Sequence, residues 1–388
     1  SPAFPLWRAR RPPHDPLAAD ALGGTIAGMT TSIPRRRQSQ TVKPLALSPS
    51  LVHRRLMAEM KPALRYDGGD VKSWQQRLRR KLRQRLGYDR MPRPNTPERT
   101  PLNVRSPWRR EHELGTIEKL VFTSERDADV VAYLCLPRDA QPPYPTFICL
   151  QGHSTGMHNS IAVAKDDETV PIQVKGDRDF GLGCMRRGVA ALCIEQRSFG
   201  ERGERDQAMK CDHNTCHDAV MHAMMLGRTL AAERVYDVDR GIDLLAERND
   251  IDMKRLGVMG NSGGGTITIF AAALLPRIQF AMPSCSFCTY RESIMSIYHC
   301  SDNYVPGLLE DAESADVLGL FAPKPVVVVN GKMDDIFPIA GVKRGFADLQ
   351  TIYRAADAAD NCKLVVGPEG HRFYAEIGWK AMMRFVNK

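Results

Sequence analysis

The chain has 388 residues, 43% of them hydrophobic and 26% charged, an ordinary globular composition with enough length for a large core. Its net charge of +9 is unevenly spread: residues 1–110 hold 24 Lys or Arg against 7 Asp or Glu, so the remainder is acidic. Ten cysteines in a chain this long exclude a disulfide-stapled scaffold, and no apolar run is long enough for a membrane span.

Residues 1–60 are rich in Pro, Arg, Ser and Ala and lack sustained periodicity, so an irregular basic N-terminal arm is expected there. No aromatic interleaving or binding motif accompanies its charges, which favours docking on the acidic body over nucleic acid. No nucleic-acid or membrane partner is expected. Arg35-Arg36-Arg37 lacks the apolar stretch that an export signal would need, and the cysteines within apolar runs (Cys135, Cys149, Cys193) read as reduced. A cytoplasmic location is the expectation.

Residues 61–110 read as a helical extension. Asp70 is placed to cap a helix whose apolar residues Val71, Trp74, Leu78, Leu82 and Leu86 recur every three or four positions, with Gly87 as the stop. From 111 to 388 the pattern becomes that of an α/β domain. The runs 119–123 and 130–136 read as a strand pair. The runs 146–150, 189–194, 256–259, 280–283, 325–330 and 363–366 are short and apolar, with helical patterns at 230–248 and 266–275. Such alternation predicts a mostly parallel sheet with helices on both faces.

The run 256–259 leads into Gly260-Asn261-Ser262-Gly263-Gly264-Gly265 and then a helical pattern. This is G-x-S-x-G in strand–turn–helix context, the nucleophile elbow. The sharp turn lifts the Ser262 hydroxyl above the sheet and aims the first N–H groups of the helix at the same place. The turn lacks the Lys of a phosphate-binding loop.

In an α/β-hydrolase the acid and the base follow the nucleophile in that order. The strand run 325–330 leads into Gly331-Lys332-Met333-Asp334-Asp335, which makes Asp334 the candidate acid and Asp335 its alternative. The run 363–366 leads into Gly367-Pro368-Glu369-Gly370-His371, and His371 is the one histidine after that pair. A His there can take the serine proton through one ring nitrogen while the carboxylate fixes the other. The N–H groups of Gly263 and of His153, in Gln151-Gly152-His153, are the candidate oxyanion-hole donors.

These residues, with Glu195-Gln196-Arg197-Ser198-Phe199-Gly200-Glu201-Arg202 and Asp302-Asn303-Tyr304-Val305-Pro306-Gly307, resemble the acetyl xylan esterase and dienelactone-hydrolase-like branch of the α/β hydrolases. The resemblance spans roughly residues 111–388. It implies cofactor-free hydrolysis of carboxylic esters with the triad Ser262, Asp334 and His371, on a small-molecule or carbohydrate ester. A small-substrate amidase or peptidase, or a non-catalytic binding module, are the alternatives. The loops expected over the site are polar, which favours short acyl groups over lipid chains. Arg197 and Arg202 are candidate contacts for a polar alcohol portion, or else partners of Glu195, Glu201 and Glu204. Oligomeric state is not readable.

One further constellation stands outside this scheme. Cys211-Asp212-His213-Asn214-Thr215-Cys216-His217, Cys285-Ser286-Phe287-Cys288 and His299-Cys300 hold eight thiols or imidazoles beyond the triad's needs. A zinc site requires these loops to converge, and their spacing is less regular than in structural zinc motifs. They read as loops shaping the pocket, with no metal expected.

Overall fold

Nine strands form a single sheet. In chain order they are β1 (Arg105–His112), β2 (Gly115–Glu125), β3 (Ala128–Pro137), β4 (Tyr144–Leu150), β5 (Ala190–Ile194), β6 (Ile251–Asn261), β7 (Phe280–Ser284), β8 (Val326–Gly331) and β9 (Cys362–Gly367). Their spatial order is β1-β2-β3-β5-β4-β6-β7-β8-β9. Pairings from β1 through β3 to β5 are antiparallel, and the six strands from β5 to β9 are parallel. The structure is a computed structural model that describes residues 45–153, 155–204 and 216–388.

The alternating register of each strand feeds two cores. Val326 and Val328 of β8 point to one face, with α2 (Val71–Leu86), α5 (Leu230–Ala246), α6 (Gly263–Leu274), α8 (Ser314–Gly319) and α9 (Ile339–Ala355). Val327 and Val329 point to the other, with α3 (Phe180–Met185) and α10 (Ala375–Val386). Both faces are therefore dry, which is why the parallel strands read as unbroken apolar runs. The chain leaves β4 for β5 on one side and returns to β6 on the other. That reversal opens a crevice at the C-terminal ends of β4 and β6, where ligands bind in open α/β sheets.

The contacts divide the chain at Val52, into Ser1–Val52 and His53–Lys388. Helix α1 (Pro49–Glu59) lies within the stretch expected to be irregular, whose first 44 residues are outside the described ones. It has no buried residue and is closed by an Arg55–Glu59 pair at 2.7 Å, so no apolar stripe marked it in the sequence. The helical extension belongs to the larger unit. Asp70 caps α2 by accepting from the Ser73 N–H at 2.8 Å, and Gly87 ends it at φ 69°. Trp74, Leu78, Leu82 and Leu86 are buried, and the Arg85 guanidinium meets Asp311 at 2.6 Å. The boundary expected at 111 falls inside β1.

Candidate active site

Ser262 lies between β6 and α6 at φ 57°, ψ −124°. A non-glycine residue in this region is strained and is held there by its surroundings. The surroundings are backbone. A Cβ on Gly260 would lie 2.5 Å from the Gly264 carbonyl carbon, and one on Gly264 only 2.0 Å from the Leu150 oxygen. Only glycine permits β4, β6 and the start of α6 to come so close. The Ser262 N–H is fixed by the Ser284 carbonyl at 2.9 Å. Helix α6 begins at Gly263, three residues before the apolar pattern that predicted it, because glycines carry no periodicity.

The acid and base loops follow β8 and β9 and are joined through their backbones. The Lys332 N–H donates to the Gly367 carbonyl at 2.8 Å and the Met333 N–H to that of Glu369 at 2.9 Å. This pairing brings Asp334 Oδ2 to 2.9 Å from His371 Nδ1. The other oxygen, Oδ1, accepts from the N–H groups of Ile336 at 2.9 Å and Phe337 at 3.0 Å. Burial alone would raise the Asp334 pKa, but the His371 contact and the Phe337 N–H hold it below its ordinary value. The carboxyl is thus fixed in place and charged. Asp335 is exposed and is not the histidine's partner. The Phe337 ring stacks on the imidazole at 5.9 Å. Among the described residues the Ser262 hydroxyl donates to no acceptor, so the Ser–His contact is not closed in this state; such bonds often tighten only with substrate.

The loop after β4 packs directly on the elbow. A Cβ on Gly152 would sit 2.9 Å from that of Ser262, and one on Gly263 would sit 2.7 Å from the His153 ring. This contact places Gly263 and His153, the candidate oxyanion-hole donors, beside the serine. The His153 side chain has a partner that sequence reasoning missed. Its Nε2 lies 2.9 Å from Asp302 Oδ2, and the fully buried Arg234 meets the same oxygen at 2.5 Å. Burial works against a charged His153, yet Asp302 raises its pKa to about 9. Asn303 links this group back to α6, accepting from the Thr266 hydroxyl at 2.9 Å while its amide donates to Asp302 at 3.1 Å.

The sequence profile of the family described as acetyl xylan esterase (AXE1) matches residues 109–306, just over half of the chain. This chain belongs to the acetyl xylan esterase family. The match includes the elbow and the His153 loop, and ends before the acid and base loops. A protein of Bacillus subtilis (strain 168), "Putative hydrolase YtaP", is 24% identical over 295 residues, covering 75% of this chain and 94% of that one. Among solved structures, a "putative acetyl xylan esterase" from Bacteroides fragilis NCTC 9343 superposes with a TM-score of 0.67 at 15% identity, covering 86% of this chain and 83% of that one. A glucuronoyl esterase from Solibacter usitatus gives 0.59 at 17% identity, covering 85% and 98%. The α/β-hydrolase fold and the family agree: the protein is a carboxylic ester hydrolase.

Within this esterase two expectations need correction. Arg197 and Arg202 are not available to a substrate. Arg197 is bound by Asp237 at 2.9 Å, Glu125 at 2.9 Å and Glu233 at 3.3 Å, and Arg202 by Asp237 at 2.7 Å. Asp237 sits on α5, 2% exposed, and needs both cations to remain charged there. The carboxylates in these pairs lie on β2 and α5, outside the arginines' own loop; Arg202 also donates to the Glu195 main-chain carbonyl at 3.0 Å, and the Glu195 carboxylate accepts the Met157 N–H.

The cysteine-rich segments converge only in part. Cys211 and His213 lie outside the described residues. Cys285 packs beside Asp334, its thiol donating to the Arg372 carbonyl at 3.1 Å, and His299 bonds Ser293 at 3.0 Å. Cys216 and Cys300 do meet, at the His153–Asp302 pair.

Proposed function

We propose that this esterase removes short acyl groups, acetyl above all, from carbohydrate esters through an acyl-enzyme on Ser262. The observation that carries the reading is the strained Ser262 at the head of α6, with the Asp334–His371 pair held at neighbouring strand ends. The Ser262 Oγ attacks the ester carbon and its proton passes to His371 Nε2. Asp334 holds the opposite ring nitrogen and stabilises the imidazolium. Negative charge on the former carbonyl oxygen is met by the N–H groups of Gly263 and His153. The alcohol leaves with the proton from His371, and a water activated by the same ring then releases the acid.

The family supports a small acyl group, since its name is that of an acetyl esterase. The test compares p-nitrophenyl acetate, butyrate, octanoate and palmitate, with acetylated xylo-oligosaccharides alongside. The reading predicts kcat/KM falling with acyl length and acetate release from the sugar. Highest kcat/KM on octanoate or longer, or cleavage of small amides with no ester turnover, would overturn it.

A further inference from the structure

The group around His153 is more than a support for the oxyanion loop. His153, Cys216, Cys300 and Asp302 come from separate stretches of chain, yet their ligand atoms all lie within 4.8 Å of one another. His153 follows β4. Cys216 immediately precedes α4 (His217–Met225). Cys300 precedes the short turn Ser301–Asn303, and Asp302 lies within it. Cys216 and Asp302 are buried, while His153 and Cys300 are half-buried. None of the nine described cysteines is in a disulfide.

We propose that these four side chains form a structural zinc site that fastens the oxyanion loop to α4 and the 300–303 turn. The donor set is the first argument. Two sulfurs, one imidazole nitrogen and one carboxylate oxygen are the atoms that bind Zn²⁺ in four-coordinate sites, whereas magnesium and calcium take oxygen. The charge balance is the second. Two thiolates and a carboxylate around a dication leave one negative charge, which is unfavourable in a buried site unless it is offset. Arg234 supplies the offset. Its guanidinium meets Asp302 Oδ2 at 2.5 Å and Cys216 Sγ at 3.3 Å, and it is 1% exposed. It occupies the position of an outer-sphere partner that orients two ligands. Both Asp302 oxygens lie by the His153 Nε2, Oδ2 at 2.9 Å and Oδ1 at 3.1 Å; Arg234 meets Oδ2, so Oδ1, which also accepts the Asn303 amide, is the oxygen placed to face the metal.

The position assigns the role. The His153 ring packs against Gly263, next to the nucleophile, and against the edge of Phe199 at 5.0 Å. Four protein donors leave no open position for water or substrate, so the zinc takes no part in ester cleavage. It fixes the ring, and with it the backbone N–H that faces the developing oxyanion. This departs from the metal-free expectation of the sequence, in which the four residues are scattered over 150 positions and no paired spacing announces them.

The site is tested on the full chain by elemental analysis of protein purified without added chelator, and by Co²⁺ substitution followed by absorption spectroscopy. The expected results are one zinc per chain and thiolate-to-cobalt charge-transfer bands in the substituted protein. Cys216→Ser, Cys300→Ser and Asp302→Asn should each lose most of the metal, while Cys285→Ser, whose thiol lies by the triad acid, should keep it. The cobalt spectrum needs no variant, so misfolded mutants leave the test intact. A zinc-free protein that stays free after equilibration with Zn²⁺, cobalt bands that are absent, or a Cys216–Cys300 disulfide in protein that binds no metal would each overturn the proposal. These readouts do not depend on which ester is cleaved.

Discussion

The loops carrying Asp334 and His371 are joined by backbone hydrogen bonds, whereas the segments on the His153 side of Ser262 are held by buried charges. In the first region Lys332 and Met333 pair with Gly367 and Glu369 through main-chain atoms, so most side chains there can vary without moving the acid or the base. In the second, Arg234 holds Asp302 and the Arg197 carbonyl, and Asp237 holds both Arg197 and Arg202. Here a single side-chain change leaves a charge buried and alone. The acid–base half is therefore fixed by fold geometry, and the oxyanion half by a charge network. Substitutions should separate chemistry from stability along the same line.

The largest effect is expected at the elbow. Ser262→Ala should lower kcat by about 10⁴- to 10⁶-fold with an unchanged melting temperature, measured by initial rates and thermal denaturation. Asp334→Asn comes next, at about 10⁴-fold in kcat, because the histidine loses the partner that selects its tautomer. Asp335→Asn should leave turnover near the parent value, and the reverse ranking would transfer the acid's role to Asp335.

On the charge-network side the expected losses are in stability. Asp237→Asn takes from the buried Arg202 its carboxylate partner and from Arg197 one of three, and should destabilise the fold by about 3–5 kcal/mol in denaturant titration. The pH dependence follows from the same carboxyl. Burial alone would raise its pKa, but Arg197 and Arg202 hold it at about 2. Its stabilising contribution is therefore complete above the ordinary carboxyl range and is lost as pH falls toward 2. A parent protein whose stability does not decline relative to Asp237→Asn at neutral pH against acid pH would contradict the network.

The smallest effect belongs to Glu195, buried at the end of β5. Burial raises its pKa to about 7, although the Met157 and Glu201 N–H groups work the other way. The folded state thus keeps a proton that the unfolded state gives up near pH 4 to 5, and stability falls as pH rises toward 7. Glu195→Gln should raise the melting temperature by roughly 2–4 °C at pH 8 and leave it unchanged at pH 4. An equal shift at both pH values would show that ionisation is not the cause.

The same division explains what the sequence made legible. Strands buried on both faces announce themselves as apolar runs, and loops after strand ends can be placed in order. The placing of Ser262, Asp334 and His371 at neighbouring strand ends needed no more than that. Strand β1 escaped notice because its residues are mostly exposed, and α1 because it buries nothing. Arg197 and Arg202 were misread because their main partner, Asp237, is on a helix 35 to 40 residues away, inside an otherwise ordinary amphipathic pattern. The same holds for Asp302, which meets Arg234 across 68 positions. Backbone-built geometry leaves a periodic trace in the chain, and a charge network does not.

The central claim is that Ser262 is the nucleophile activated by His371. A fluorophosphonate reacts covalently with such a serine. The measurement is peptide mass spectrometry of the folded protein after brief labelling. The account predicts one adduct per chain, on Ser262, together with loss of esterase activity and far slower labelling of His371→Ala. Full esterase activity in quantitatively labelled protein, or an adduct confined to another serine, would contradict it.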